Sequence, residues 1–297
     1  MATPTPNSTQ RRLEQDGSQT TSVPVGDDRQ LAYAEYGCSD GVPVVFLHGT
    51  PGSRRLGALF ETAARERGIR LLAPDRPGYG RSSPWPTHSV HDIGQVVDTV
   101  LDDAGVSTAG LIAFSGGGPY ALAAAATHTD RIGRVDVIAG ATPPDDREKT
   151  PATQRLLAGL ATNTPLVLRG LFRGQAWIAT HLPPSFIVAQ YTAENTVESI
   201  PDAAAEVVKE DFLEAFARYR RGAVTEFHNA TTNWDVSFDD IDTEVCLWHG
   251  ENDTNVPISA VRRLRAKIPT AELRVLDDAD HLQTLLRCIP DVLAEHR

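Results

Sequence analysis

The chain has 297 residues, enough for one α/β unit with an insertion or for two domains of ~150 residues. Apolar residues make up 41 % and charged residues 23 %, the profile of a globule with a sizeable core. A formal charge of −11 and a pI near 5.3 repel phosphate backbones and anionic lipid, so no nucleic acid and no membrane is expected as a partner.

Residues 1–22 are polar and rich in Thr, Ser and Gln, with no apolar segment. They read as a disordered tail rather than a signal peptide or anchor, which points to the cytoplasm. Leu31–Tyr36 alternates as a strand, and Val42–Leu47 is a β-branched run that stops at His48-Gly49. Ala58–Arg67 has helical spacing ended by Gly68, and Ile69–Ala73 is the next strand. Asp92–Ala104 carries a 3.6-period stripe, Ala109–Phe114 is a buried strand, Pro119–Thr127 an Ala-rich helix, and Val135–Ala139 another strand. From 145 to 240 no strand is evident. Gln154–Ala161, Leu166–Thr180, Ser185–Tyr191 and Ala203–Arg220 read as helices. Alternation resumes with Val245–His249, Ser259–Lys267, Glu272–Leu276 and a last helix from Leu282. This predicts an α/β fold: a mostly parallel twisted sheet with helices on both faces, residues 23–144 and 241–297, carrying a helical cap at 145–240 before the last two strands.

Only three residues are Lys, and Asp outnumbers Glu by 24 to 15, as on salt-adapted surfaces; a high-GC genome would also favour Arg, Ala and Asp. The three cysteines, Cys38, Cys246 and Cys288, have neither disulfide nor metal-finger spacing, and Cys246 reads as a small buried hydrophobe. His88 and His91 are three apart but lack further ligands, so no metal is expected.

The sharpest local feature is Leu111-Ile112-Ala113-Phe114-Ser115-Gly116-Gly117-Gly118-Pro119-Tyr120, a buried strand turning through Ser115 into a small-residue helix. So tight a turn strains the central residue and admits only small neighbours, here Ala113 and Gly117. It lifts the Ser115 hydroxyl above the sheet and sets the Gly116 amide at a helix N-terminus, where it can meet an oxyanion. A serine needs an imidazole base, oriented by an acid. His281 lies in the loop after Glu272–Leu276, above a strand's C-terminal end, whereas His249 closes a strand and packs under the loop it starts. The acid candidates are Glu251 and Asp253 after Val245–His249, with Asp145 and Asp146 behind them. The order Ser115, Asp253, His281 fits the chain order of this architecture. In Phe46-Leu47-His48-Gly49-Thr50-Pro51-Gly52-Ser53, Pro51 has no N–H, which leaves the Thr50 amide as the natural second oxyanion donor, with His48 structural.

Together with Asp75-Arg76-Pro77-Gly78-Tyr79-Gly80-Arg81-Ser82, Trp248-His249-Gly250-Glu251-Asn252-Asp253 and Asp280-His281-Leu282, these segments closely resemble the α/β-hydrolase superfamily from about Leu31 to Ala294. The resemblance implies Ser115 as nucleophile, His281 as base, Asp253 as its acid, and Thr50 and Gly116 as the oxyanion hole, with no cofactor. It implies a serine hydrolase of the carboxylesterase type acting on a small-molecule substrate, a small ester. C–C bond, amide or perhydrolase chemistry on the same triad, or an idle ligand-binding scaffold, are the alternatives. A serine at this position rules against dehalogenase and epoxide hydrolase chemistry, which uses Asp there. Two residues depart from the pattern. Ala113 replaces the usual Gly, and Asp280 stands where Gly is common and is expected to perturb His281 electrostatically. Leu168, Leu171, Phe172, Trp177, Phe186, Tyr191, Phe212 and Phe216 are candidate pocket residues, most of them expected to pack the cap instead.

Overall fold

The β-branched runs assemble into one eight-stranded sheet in a computed structural model that describes residues 20–296, apart from 27, 86–87, 145–151 and 194–195. The strands are β1 (Thr20–Val25), β2 (Arg29–Gly37), β3 (Val42–Leu47), β4 (Ile69–Pro74), β5 (Ala109–Phe114), β6 (Ile132–Ile138), β7 (Glu244–Gly250) and β8 (Ala271–Leu276). Their order is β1-β2-β4-β3-β5-β6-β7-β8. Strands β3 to β8 run parallel, and β1 and β2 form an antiparallel edge on β4. Thr20–Ser22, assigned above to the tail, are the outer half of β1, each paired with β2. The rest of that tail, and Asp145 and Asp146, lie outside the described residues.

Alternate side chains of the central strands enter cores on opposite faces. Val44 and Phe46 join the core under α1 (Glu61–Arg67) and α10 (His281–Glu295). Val45 and Leu47 join the core under α2 (Ile93–Asp103), α3 (Gly118–Thr127) and α9 (Ile258–Lys267). Burial on both faces is why these strands read as continuous apolar runs.

Between β6 and β7 lie α4 (Ala152–Asn163), α5 (Pro165–His181), α6 (Ser185–Val188), α7 (Asp202–Ala215) and α8 (Arg221–Asn229). The helix expected over Ala203–Arg220 ends early, α7 stopping at Ala215, and a further helix that the sequence did not predict, α8, begins at Arg221. The region Ala58–Arg67 likewise starts as a 3-10 turn, Arg54–Phe60, before α1. Carboxylates of α7 dock the insertion on the core. Asp211 Oδ1 accepts from Ser53 N at 2.7 Å, Ser53 Oγ at 2.8 Å and Leu56 N at 3.2 Å. Glu214 accepts from Arg54 Nη1 at 2.6 Å, and that same nitrogen holds Asp75 Oδ2 at 2.7 Å. Among the described residues, no helix is long and apolar enough to cross a membrane.

Candidate active site

The parallel strands point their C-terminal ends to one edge of the sheet, and β5, β7, β8 and β3 each deliver a loop there. At the end of β5 the chain turns through Ser115, whose φ of 51° is left-handed, a conformation costing a non-Gly residue ~1–3 kcal/mol. The crowding responsible comes from β3. A Cβ on Gly117 would stand 2.5 Å from Leu47 O and 2.8 Å from His48 O, so it is the neighbouring strand's carbonyls that demand glycine here, not the facing Ala113. A Cβ on Gly116 would collide with the Thr50 hydroxyl and stand 3.1 Å from Thr50 N. The Thr50 backbone nitrogen and side chain therefore lie against Gly116, the residue after Ser115.

The first residue of α10, His281, turns its ring to Ser115. His281 Nε2 is 2.9 Å from Ser115 Oγ, and Nδ1 is 2.7 Å from Asp253 Oδ2. The other oxygen of Asp253 accepts from Asn255 N at 2.8 Å and Val256 N at 2.9 Å, which locks the carboxylate against its own loop. Burial opposes the Asp253 charge, but the charge and hydrogen bond of His281, with His249, outweigh it and hold the carboxyl below its usual range. Glu251, the other candidate after β7, is exposed. His249 packs under the loop, its Nε2 2.8 Å from Val256 O, and burial depresses its pKa. The imidazole of His281 lies between the rings of Phe114, at 5.0 Å, and Tyr191, at 6.4 Å.

Asp280, next to His281 in the chain, turns its carboxylate to the helix end and the insertion. It is the N-cap of α10: Oδ1 accepts from Gln283 N at 2.9 Å, and Oδ2 accepts from Ala193 N at 3.0 Å and Thr196 Oγ1 at 2.6 Å. Its hydrogen bonds go to the helix end and the insertion, not to the imidazole. Arg287 meets the Asp277 carbonyl at 3.0 Å.

A cavity of about 1150 Å³ opens over Ser115, above the usual ~300–1000 Å³ of ligand pockets. Its wall includes Thr50, Gly116, Phe172, Tyr191, Phe212 and Glu226. Of the aromatic and aliphatic candidates, Phe172, Tyr191 and Phe212 reach the cavity. Leu168 and Phe216 are buried inside the insertion, and Leu171, Trp177 and Phe186 are exposed.

Sequence reasoning missed Glu226. It lies on α8, is 4 % exposed, and accepts from Thr50 Oγ1 at 2.5 Å, Tyr79 OH at 2.9 Å, and Arg76 Nε and Nη2 at 2.7 and 2.8 Å. The only sequence signal was Arg76 itself, a cation just past the end of a buried strand. His48 is structural as expected. It is fully buried, Nε2 accepts from Arg76 N at 3.1 Å, Nδ1 meets Gly49 O at 2.8 Å, and burial with the Arg76 charge keeps it neutral, well below its usual pKa.

Comparison with known proteins agrees with this architecture. The family of the alpha/beta hydrolase fold matches residues 42–287, and the chain belongs to it. It is similar to the non-heme chloroperoxidase CPO-A1 of Kitasatospora aureofaciens, 29 % identical over 262 residues, 86 % of this chain and 90 % of that one. It is also similar to a 2-hydroxy-6-oxononadienedioate/2-hydroxy-6-oxononatrienedioate hydrolase of Cupriavidus pinatubonensis, 25 % identical over 245 residues and 80 % of each chain. The fold of a bromoperoxidase from Bacillus anthracis superposes with a TM-score of 0.72 at 20 % identity, covering 93 % of this chain and 99 % of that one. The protein is a hydrolase-family enzyme.

Proposed function

We propose that the protein is a serine hydrolase cleaving small carboxylic esters through an acyl-enzyme, with Ser115, His281 and Asp253 as its catalytic triad. The observation that carries this reading is the unbroken chain Ser115 Oγ, His281 Nε2, His281 Nδ1, Asp253 Oδ2, at 2.9 and 2.7 Å, opening onto the cavity. In this mechanism His281 takes the Ser115 proton as Oγ attacks the ester carbonyl. The carbonyl oxygen becomes an oxyanion that the Thr50 and Gly116 amides stabilise. His281 returns the proton to the departing alcohol, then activates the water that hydrolyses the acyl-enzyme. Asp253 keeps the imidazole in the tautomer that presents a lone pair to Ser115 and stabilises the imidazolium that forms. Residues 145–240 act as a cap that shapes the substrate site, a role supported by Phe172, Tyr191, Phe212 and Glu226 in the cavity wall.

The test is Ser115→Ala on a chain-length series of p-nitrophenyl esters, run with diketone, amide and peroxide controls. Loss of roughly 10⁴-fold or more in kcat with an unchanged melting temperature supports the assignment. Retention of the ester activity sinks it. A parent enzyme that turns over the diketone or amide in preference to every ester moves the bond class but keeps the triad.

A further inference from the structure

The peptide that supplies the Thr50 N–H also contains the Gly49 carbonyl, and that carbonyl is held from behind. Gly49 O is 2.8 Å from His48 Nδ1 and accepts from Arg76 Nη2 at 3.0 Å. The Gly49–Thr50 peptide is trans, so its C=O and N–H lie in one plane and point in opposite directions. Fixing the carbonyl therefore aims the amide, and two donors on the oxygen make the N–H a stronger donor in turn. Arg76 can hold this position only because it is itself held. It is fully buried, its Nη1 meets the His48 carbonyl, and Glu226 grips its Nε and Nη2 in a bidentate pair. The same carboxylate fixes the Thr50 side chain through Oγ1, at 2.5 Å. Every residue of this relay except Glu226 belongs to the sheet's own loops, whereas Glu226 comes from α8 of the insertion.

We propose that Glu226, acting through Arg76 and Thr50, is a positioning residue for the oxyanion hole, so that docking of α8 sets the aim and donor strength of the Thr50 amide. This rests on the reading of that amide as an oxyanion donor. The charges explain why both partners are present. A lone carboxylate next to the hole would oppose the developing oxyanion, and a lone buried guanidinium would be costly to hold. Paired, they form a rigid frame with no net charge.

The test compares a p-nitrophenyl ester with its thionoester, in which C=S replaces C=O. Sulfur is a poor acceptor, so the thionoester gains little from well-aimed N–H donors while using the same nucleophile, base and pocket. Glu226→Gln keeps the side chain's shape and removes its charge. Because it leaves Arg76 buried and unpaired, a second protein, the double variant Arg76→Met with Glu226→Met, replaces the pair with apolar groups of similar size, a change often neutral for stability. It decides the matter if Glu226→Gln lowers the melting temperature. The ester kcat should fall about 10–100-fold with KM nearly unchanged, less than the ~10²–10³-fold of deleting a donor outright. The thionoester should slow much less, so the ester-to-thionoester ratio shrinks. A folded variant that hydrolyses the ester at the parent rate, or that loses both substrates by the same factor, overturns the proposal. Ser115→Ala is run alongside. If it abolishes ester turnover and the ratio still does not move, the fault lies in the role given to Glu226 alone. If ester turnover survives Ser115→Ala, the serine mechanism fails and this proposal fails with it.

Discussion

Replacing Asp211 by Asn should make the protein more stable, and increasingly so as the pH rises. Asp211 sits between α7 and the loop after β3, 5 % exposed, with Ser53 N, Ser53 Oγ and Leu56 N on one oxygen. Burial raises its pKa, the Ser53 hydrogen bonds only partly offset this, and the nearby Asp75 charge adds to it, so the carboxyl is pushed from 3.8 up to about 7. A carboxyl with a native pKa above its unfolded one binds more protons in the native state across that interval. Stability therefore falls as pH rises between the two values and stays low above the upper one. A gap of about 3 units at 1.36 kcal/mol each caps the penalty near ~4 kcal/mol. Asn keeps an acceptor for the same three donors and has no charge to bury. Urea unfolding of parent and Asp211→Asn, in steps from about pH 4 to about pH 8, reads the effect as a difference in which titrations not coupled to Asp211 cancel. The variant's advantage should grow through the interval and level off above about pH 7. A difference that is constant with pH, whatever its sign, would mean that Asp211 does not titrate in this window and would refute the reasoning.

Asp253→Asn should lower kcat by ~10³–10⁴-fold with little change in fold, by misorienting His281, and steady-state kinetics on an ester checks it; a loss below tenfold would remove Asp253 from the mechanism. Asp280→Ala should cost about 1–2 kcal/mol in chemical unfolding, since it removes the N-cap of α10 and the ties to Ala193 and Thr196. An unchanged unfolding midpoint would contradict that cap. If the excess of Asp and the scarcity of Lys reflect salt adaptation, melting temperature should rise from low salt to molar KCl as carboxylate repulsion is screened. A flat curve leaves codon bias as the better account.

Local chemistry was enough to read much of this protein from its sequence. Runs such as Val42–Leu47 and Ala109–Phe114 are strands buried on both faces, and their composition alone marks them. The turn at Ser115 is legible because Gly116 and Gly117 are written next to it, although the carbonyls that demand glycine at 117, those of Leu47 and His48, are distant in sequence. That His281 and Asp253 would meet beside Ser115 could be read because the loops at strand C-termini gather on one edge of a parallel sheet, a rule that turns chain order into position. Three things needed the tertiary structure. The edge strand β1 is polar and half exposed, so nothing in Thr20–Val25 distinguishes it from a tail until β2 is there to pair with it. Asp280 stands next to His281 in sequence, but the α10 N-cap and Thr196 decide which way its carboxylate turns. Glu226 is separated from Arg76 by 150 residues, and its burial depends on a helix, α8, that the sequence reading did not include. A carboxylate's partner across such a distance leaves no local periodicity, because pairing of buried charges is fixed by where two loops and one helix pack, not by what precedes them in the chain.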